Sequence, residues 1–153
     1  FCSLQQAKEK EVGLSRMTAG FAWKWESKSN KDAFDIVIEG VPKRWNSTQK
    51  DWVNSANAVN EVGCIHTVQG YDLNYGFVIL GPDIYYDTDK GAVCANKANF
   101  KDAVAKKKAS DDDLRKIIVN AYYVLMTRGM LGTYLYVCDP ALKEHLSRYI
   151  PVV

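Results

Sequence analysis

The sequence predicts an α/β fold with a mostly parallel sheet, and three observations carry that expectation. Strand-like and helix-like stretches alternate along the chain, as βαβ units require. The run Phe77-Val78-Ile79-Leu80 contains no polar residue, which suits a strand covered on both faces. Leu114, Ile117, Ile118, Ala121, Tyr122 and Leu125 hold helical spacing over three turns, just before the strand-like Tyr134-Leu135-Tyr136-Val137-Cys138. At 153 residues, 47% hydrophobic and 25% charged, residues 1–153 read as a single domain with a real core. A net charge of +2 asks for no polyanionic partner, so any nucleic-acid surface has to be local.

In chain order, Leu4 to Val12 is rich in straight-chain helix formers and stops at Gly13, as a helix end does. Met17 to Trp23 reads as a strand. Its end, Trp23-Lys24-Trp25, alternates aromatic and basic side chains. That pattern has two readings: base stacking with phosphate neutralisation in a single-strand groove, or one core and one half-exposed tryptophan. Asp35 to Gly40 is a short strand, followed by a second basic and aromatic pair in Lys43-Arg44-Trp45-Asn46. Ser47 or Thr48 is positioned to cap a helix through Asp51, Trp52, Val53, Ala56 and Val59. From Asp83 to Ser110 apolar periodicity fades, and the stretch reads as an inserted hairpin and a mobile loop. Its Lys106-Lys107-Lys108 run is either a handle for a phosphate backbone or a solvated face, with Asp111 to Asp113 directly behind it. Ser110 caps the helix that follows, with acidic residues against its N-terminus. Asp139-Pro140 opens a last helix, Ala141 to Tyr149, which Pro151 ends.

The chemistry concentrates between residues 61 and 75. Val62, Cys64 and Ile65 suit a short buried strand, and Gly70 permits a turn that a β-branched residue would refuse. Between that strand and Phe77, His66, Thr67, Gln69 and Asp72 offer an imidazole, a hydroxyl, an amide and a carboxylate within seven residues. Open α/β sheets place ligands at such strand ends. Cys2, Cys64, Cys94 and Cys138 form no Cys-x-x-Cys pair and read as free thiols of a reducing compartment, with no metal site. No apolar run reaches transmembrane length and no signal peptide opens the chain, so a cytoplasmic protein without membrane contact is expected.

Two blocks carry a resemblance. Ile65-His66-Thr67-Val68-Gln69-Gly70-Tyr71-Asp72 resembles motif V of superfamily 1 helicases, Thr/Val-x-His-x-x-Gln/Lys-Gly-x-Glu before an apolar strand. Val124-Leu125-Met126-Thr127-Arg128-Gly129-Met130 resembles motif VI, an apolar pair, Thr-Arg and a small residue. With Ala19-Gly20-Phe21-Ala22-Trp23-Lys24-Trp25 and Cys138-Asp139-Pro140-Ala141-Leu142, they resemble the Schlafen group 3-like DNA/RNA helicase domain, a bacterial domain long without assigned function, from about Ser15 to Leu146.

The resemblance implies a RecA-like three-layer fold, the second RecA-like domain of a helicase. Arg128 then matches the arginine finger that reaches the γ-phosphate of ATP; otherwise it is a helix-terminal arginine favoured by the macrodipole. Gln69, Gly70, Asp72 and Thr127 match positions near the nucleotide, with Asp72 in place of the usual glutamate. His66 and Thr67 match positions that contact the backbone of single-stranded DNA or RNA or relay nucleotide state to it, and Trp23 and Lys24 join them as nucleic-acid candidates. Leu131 stands where a basic residue is common in the family. The sequence has no Gly-x-x-x-x-Gly-Lys-Ser/Thr, so the resemblance assigns ATP and Mg2+ mainly to a preceding RecA-like domain, the expected partner. The chain, opening on Phe1, is accordingly expected to be a fragment of a longer protein, inactive alone. The alternative is a nucleic-acid or protein binding module that keeps the RecA-like shape without turnover.

Overall fold

The computed structural model describes the backbone from Phe1 to Val153 and every side chain except those of residues 104 and 108. At its centre is a four-stranded parallel sheet: β1 (Ser15–Ala19), β4 (Val62–Gly63), β5 (Leu73–Leu80) and β8 (Gly129–Val137) in the spatial order β4-β1-β5-β8. The register runs through Met17↔Val62, Met17↔Phe77 and Phe77↔Tyr134. The order reverses direction between β1 and β5. That reversal leaves a crevice beyond their carboxyl ends, the usual ligand position of doubly wound sheets.

β5 explains why the sheet is buried on both sides. Phe77 and Ile79 point into one apolar cluster, with Met17, Ala19, Ile36, Ile38, Trp45 and Val62. Leu73, Val78 and Leu80 point into the other, with Trp52, Leu114, Ile118, Tyr122, Leu125 and Leu142. A period of two with both faces apolar is what a covered central strand needs. The first face is closed by α1 (Cys2–Val12) and by a hairpin of β2 (Ile36–Ile38) and β3 (Val41–Lys43), turned through Glu39 and Gly40, both at positive φ. The second is closed by a one-turn helix α2 (Ile65–Val68), by α4 (Asp111–Met126) and by α5 (Pro140–Ser147). The result is the three-layer α/β arrangement of the RecA type.

The hairpin expected after Gly81-Pro82 is present as β6 (Ile84–Asp87) and β7 (Ala92–Ala95). Beyond it the chain forms α3 (Ala103–Lys108) where a loop is expected from sequence. Lys106 and Lys107 of the basic run lie on it, and the side chain of residue 108 is outside the described part. Ser110 caps α4 as expected, accepting from the Asp113 N–H at 3.2 Å, and Asp139 caps α5, accepting from the Leu142 N–H at 2.7 Å.

Besides α3, three elements differ from the sequence expectation. The strand from Met17 stops at Ala19, because the Ala22 N–H turns back onto the Gly20 carbonyl at 2.8 Å. The helix expected through residues 51–59 is a single 3₁₀ turn, Trp52–Asn54. Asp51 enters it in the left-handed region, and Trp52 is drawn inward, its indole N–H donating to Glu61 at 2.8 Å and its ring lying on Gly63, where no Cβ fits. The polar loop expected at His66 and Thr67 is helical, as α2. Among the described residues, no helix is long and apolar enough to cross a membrane.

Candidate functional site

The two ends of the sheet each gather polar groups. At the amino ends of β5 and β8, the last turn of α4 delivers Thr127 and Arg128 directly into β8, and the Leu73 N–H bonds the Arg128 carbonyl at 2.8 Å. The register then slips: Leu73 pairs with Gly129 but Tyr75 pairs with Gly132, so Met130 and Leu131 bulge outward and are exposed. Such bulges re-aim neighbouring side chains. Gly129 is required there, since a Cβ would meet the backbone of Gly132 and Gly76. Thr133, across the bulge, donates to the Met126 carbonyl at 2.8 Å and ties the bulge to the helix end.

Arg128 is anchored at its base and loose at its tip. Its Nε donates to the Val124 carbonyl at 3.2 Å, one terminal nitrogen reaches Thr127 Oγ1 at 3.4 Å, and the other stands 3.9 Å from Asp72 Oδ1. Asp72 is well exposed, at 67% of its side-chain surface. The structure thus brings Arg128, Thr127 and Asp72 into one cluster. An exposed pair at that distance contributes little to stability, so the guanidinium remains able to take another anion.

α2 carries the next group. Cys64 caps it: the Cys64 N–H donates to Thr67 Oγ1 at 3.1 Å, and that hydroxyl donates to the Cys64 carbonyl at 2.9 Å. Thr67 is therefore buried, and its hydroxyl is committed to holding the turn rather than facing a strand of nucleic acid. His66 and Gln69 are exposed on the same helix turn. Gly70 follows at φ 86° with open space where a Cβ would stand, so its glycine is demanded by backbone conformation rather than by crowding within the chain.

Trp23 and Lys24 lie apart from these residues. The Trp23 ring packs over Gly81 and onto the cluster around Phe77, and Lys24 pairs with Glu26 at 3.1 Å on the surface. Trp25 approaches Trp45, ring centroids 6.1 Å apart, and Lys28 stands over it. His145 is structural, stacked on Tyr86 with centroids 4.0 Å apart.

At the other end of the sheet lies a group that sequence reasoning missed. Asp83, just past β5, is fully buried. Its Oδ1 accepts from the Tyr122 hydroxyl at 2.6 Å, and that hydroxyl accepts from the Gly81 N–H at 2.9 Å. Its Oδ2 has no hydrogen-bond partner. Burial raises the Asp83 carboxyl to about 6 against the pull of the Tyr122 hydrogen bond, and burial beside Asp83 raises the Tyr122 phenol well above its ordinary value. Burial also pushes the Cys138 thiol up to about 11, with Asp83 adding to it. Gly20 has no room for a Cβ against the Tyr122 hydroxyl. A cavity of about 350 Å³ opens beside this group, lined by Phe21, His66, Gln69, Asp83, Phe100 and Tyr122 among others. No local signal in the sequence could have found Asp83, since its partner Tyr122 lies 39 residues away. All four cysteines are free, and among the described residues no three His, Cys, Asp or Glu side chains gather as metal ligands.

These features define a RecA-type α/β domain with charged groups at both ends of a parallel sheet. The chain belongs to the Schlafen group 3 DNA/RNA helicase domain family, whose sequence model matches residues 3–139. It is 33% identical over 150 residues to an uncharacterized protein of Saccharomyces cerevisiae; the alignment covers 92% of this chain and 33% of that relative, so the chain spans about a third of the relative's length. No solved structure matches the chain.

Proposed function

We propose that this chain is the second RecA-like half of an ATP-dependent DNA or RNA helicase or translocase of superfamily 1. In this reading Arg128 reaches across an interdomain cleft to the γ-phosphate of ATP that the preceding RecA-like domain holds with Mg2+. The observation that carries the reading is the cluster at the amino ends of β5 and β8: an arginine fixed at Nε by a helix-end carbonyl, with its terminal nitrogens only loosely held. A planar, permanently charged guanidinium matches charge spreading over phosphoryl oxygens during transfer. Asp72 and Thr127 steer it beforehand. Gln69 and Gly70 sit at the end of α2 on the exposed side, where backbone and amide can meet a nucleotide. His66, exposed one turn earlier, is the nucleic-acid contact we retain from motif V, with Thr67 holding the turn beneath it. Trp23 contributes packing and Lys24 a surface charge beside the strand path. Four unpaired thiols agree with work in the cytoplasm.

ATP hydrolysis by the full-length protein, with and without single-stranded DNA or RNA, tests this. Stimulated turnover is expected to fall about 10³-fold or more in Arg128→Ala while ATP binding survives, the range known for arginine fingers. Residues 1–153 alone are expected to hydrolyse nothing, because they contain no phosphate loop. Unchanged turnover in Arg128→Ala would sink the assignment and favour a binding module without turnover.

A further inference from the structure

The cavity between α4 and the carboxyl ends of β1 and β5 lies away from the Arg128 cluster and shares only Gln69 and His66 with the groups assigned above. Its volume of about 350 Å³ lies at the small end of the range that ligand sites occupy. Two aromatic rings, Phe21 and His66, stand with centroids 5.7 Å apart at 41°, and Phe100 adds a third apolar surface. Asp83 lines the same space, fully buried, with Oδ2 unpartnered and Oδ1 fixed by Tyr122. A buried acceptor left without a donor costs free energy. A ligand that brings a donor to Oδ2 removes that cost.

We propose that this cavity takes one unstacked nucleobase carrying an exocyclic amine, the amine donating to Asp83 Oδ2 and the ring lying against Phe21 and His66. The proposal rests on the nucleic-acid reading above and names what the strand places in this domain. A planar heterocycle with one donor edge satisfies both the aromatic walls and the unpartnered Oδ2, with Gln69, Asp102 and Asn120 as the other polar lining, and bases drawn out of a strand are read in this manner. Uracil and thymine, with a carbonyl in place of the amine, set acceptor against acceptor at Oδ2. The prediction is a preference for cytosine, adenine or guanine over uracil or thymine.

The test compares binding of the full-length protein to cytosine and uracil oligoribonucleotides, and to cytosine and thymine oligodeoxynucleotides, of one length. Fluorescence anisotropy above pH 7 is the readout. One hydrogen bond gained predicts a preference of about 5- to 10-fold for cytosine. In Asp83→Asn the Tyr122 bond keeps the amide oxygen at the Oδ1 position, so a donor replaces Oδ2 and the order is expected to invert. Phe21→Leu, which leaves Asp83 alone, is expected to weaken both strands and keep their order. Equal binding of all strands by the wild type, or an unchanged order in Asp83→Asn, overturns this inference and leaves the helicase reading standing. Binding of no strand at all overturns both. Calorimetry against spermidine provides the remaining arm: heat that Asp83→Asn abolishes assigns the acceptor to a free amine and rejects the nucleobase.

Discussion

At the carboxyl ends of β1 and β5, a carboxylate, a phenol and a backbone amide are sealed together under α4. At the amino ends of β5 and β8, an exposed carboxylate and an exposed threonine flank a partly buried arginine, with contacts of 3.4 to 3.9 Å. The first group is short, buried and close to glycines that admit no Cβ; the second is long and partly solvated. In a low-dielectric site each unmade hydrogen bond is costly, and at a solvated edge it is nearly free. The same sheet therefore carries one polar group that the fold depends on and another that the fold barely notices. What each group leaves over also differs: the amino-end group keeps a loosely held guanidinium, and the carboxyl-end group keeps one unpartnered oxygen, Asp83 Oδ2.

Tyr122→Leu breaks the comparison hardest. It removes the ring from the core and leaves both Asp83 oxygens and the Gly81 N–H without partners, so unfolding free energy in urea is expected to drop by about 3 to 5 kcal/mol. A loss under 1 kcal/mol would mean that water enters and serves these groups, and that the carboxyl end is no more sealed than the other.

The next effect is a dependence on pH. The folded Asp83 carboxyl is raised to about 6 from an ordinary value of 3.8, so the folded state binds this proton more tightly than the unfolded state. Its contribution is full below about pH 4 and is lost as pH rises through 6, a swing of about 3 kcal/mol. Asp87 pulls the opposite way, lowered first by the Lys90 N–H. The quantity to follow is thus the difference between wild type and Asp83→Asn across pH 4 to 8. That difference is expected to favour the wild type increasingly toward acid. A flat difference would show Asp83 titrating as an ordinary surface acid.

The same contrast explains what could be read from the sequence. Covered strands and capped helices leave local marks: the unbroken Phe77 to Leu80 run, Ser110 before three acids, and Asp139-Pro140. The Arg128 cluster was legible because its members lie in two contiguous motifs. Asp83 and Tyr122 were not, because they are 39 residues apart and meet only when α4 lies across the strand ends. Nothing local marks a carboxylate as buried. The 51–59 stretch failed for a related reason: its apolar spacing is helical, but Trp52 gains more from Glu61 and the space above Gly63 than the chain gains from another helical turn. Propensity gave way there to tertiary packing, as it often does.

The smallest effect on stability belongs to Arg128→Ala. Its side chain is about a quarter exposed, its partner Asp72 is largely solvated, and the Nε bond to the Val124 carbonyl is long, at 3.2 Å. The change in unfolding free energy is expected to stay within about 0.5 kcal/mol, the usual bound for surface positions. Melting curves of the wild type and the variant should therefore overlay. Paired with a large loss of stimulated ATP hydrolysis, that overlay separates a side chain kept for another body from one kept for its own fold. A loss of 2 kcal/mol or more would instead make Arg128 a structural cap of α4, and the two ends of the sheet would then do the same work.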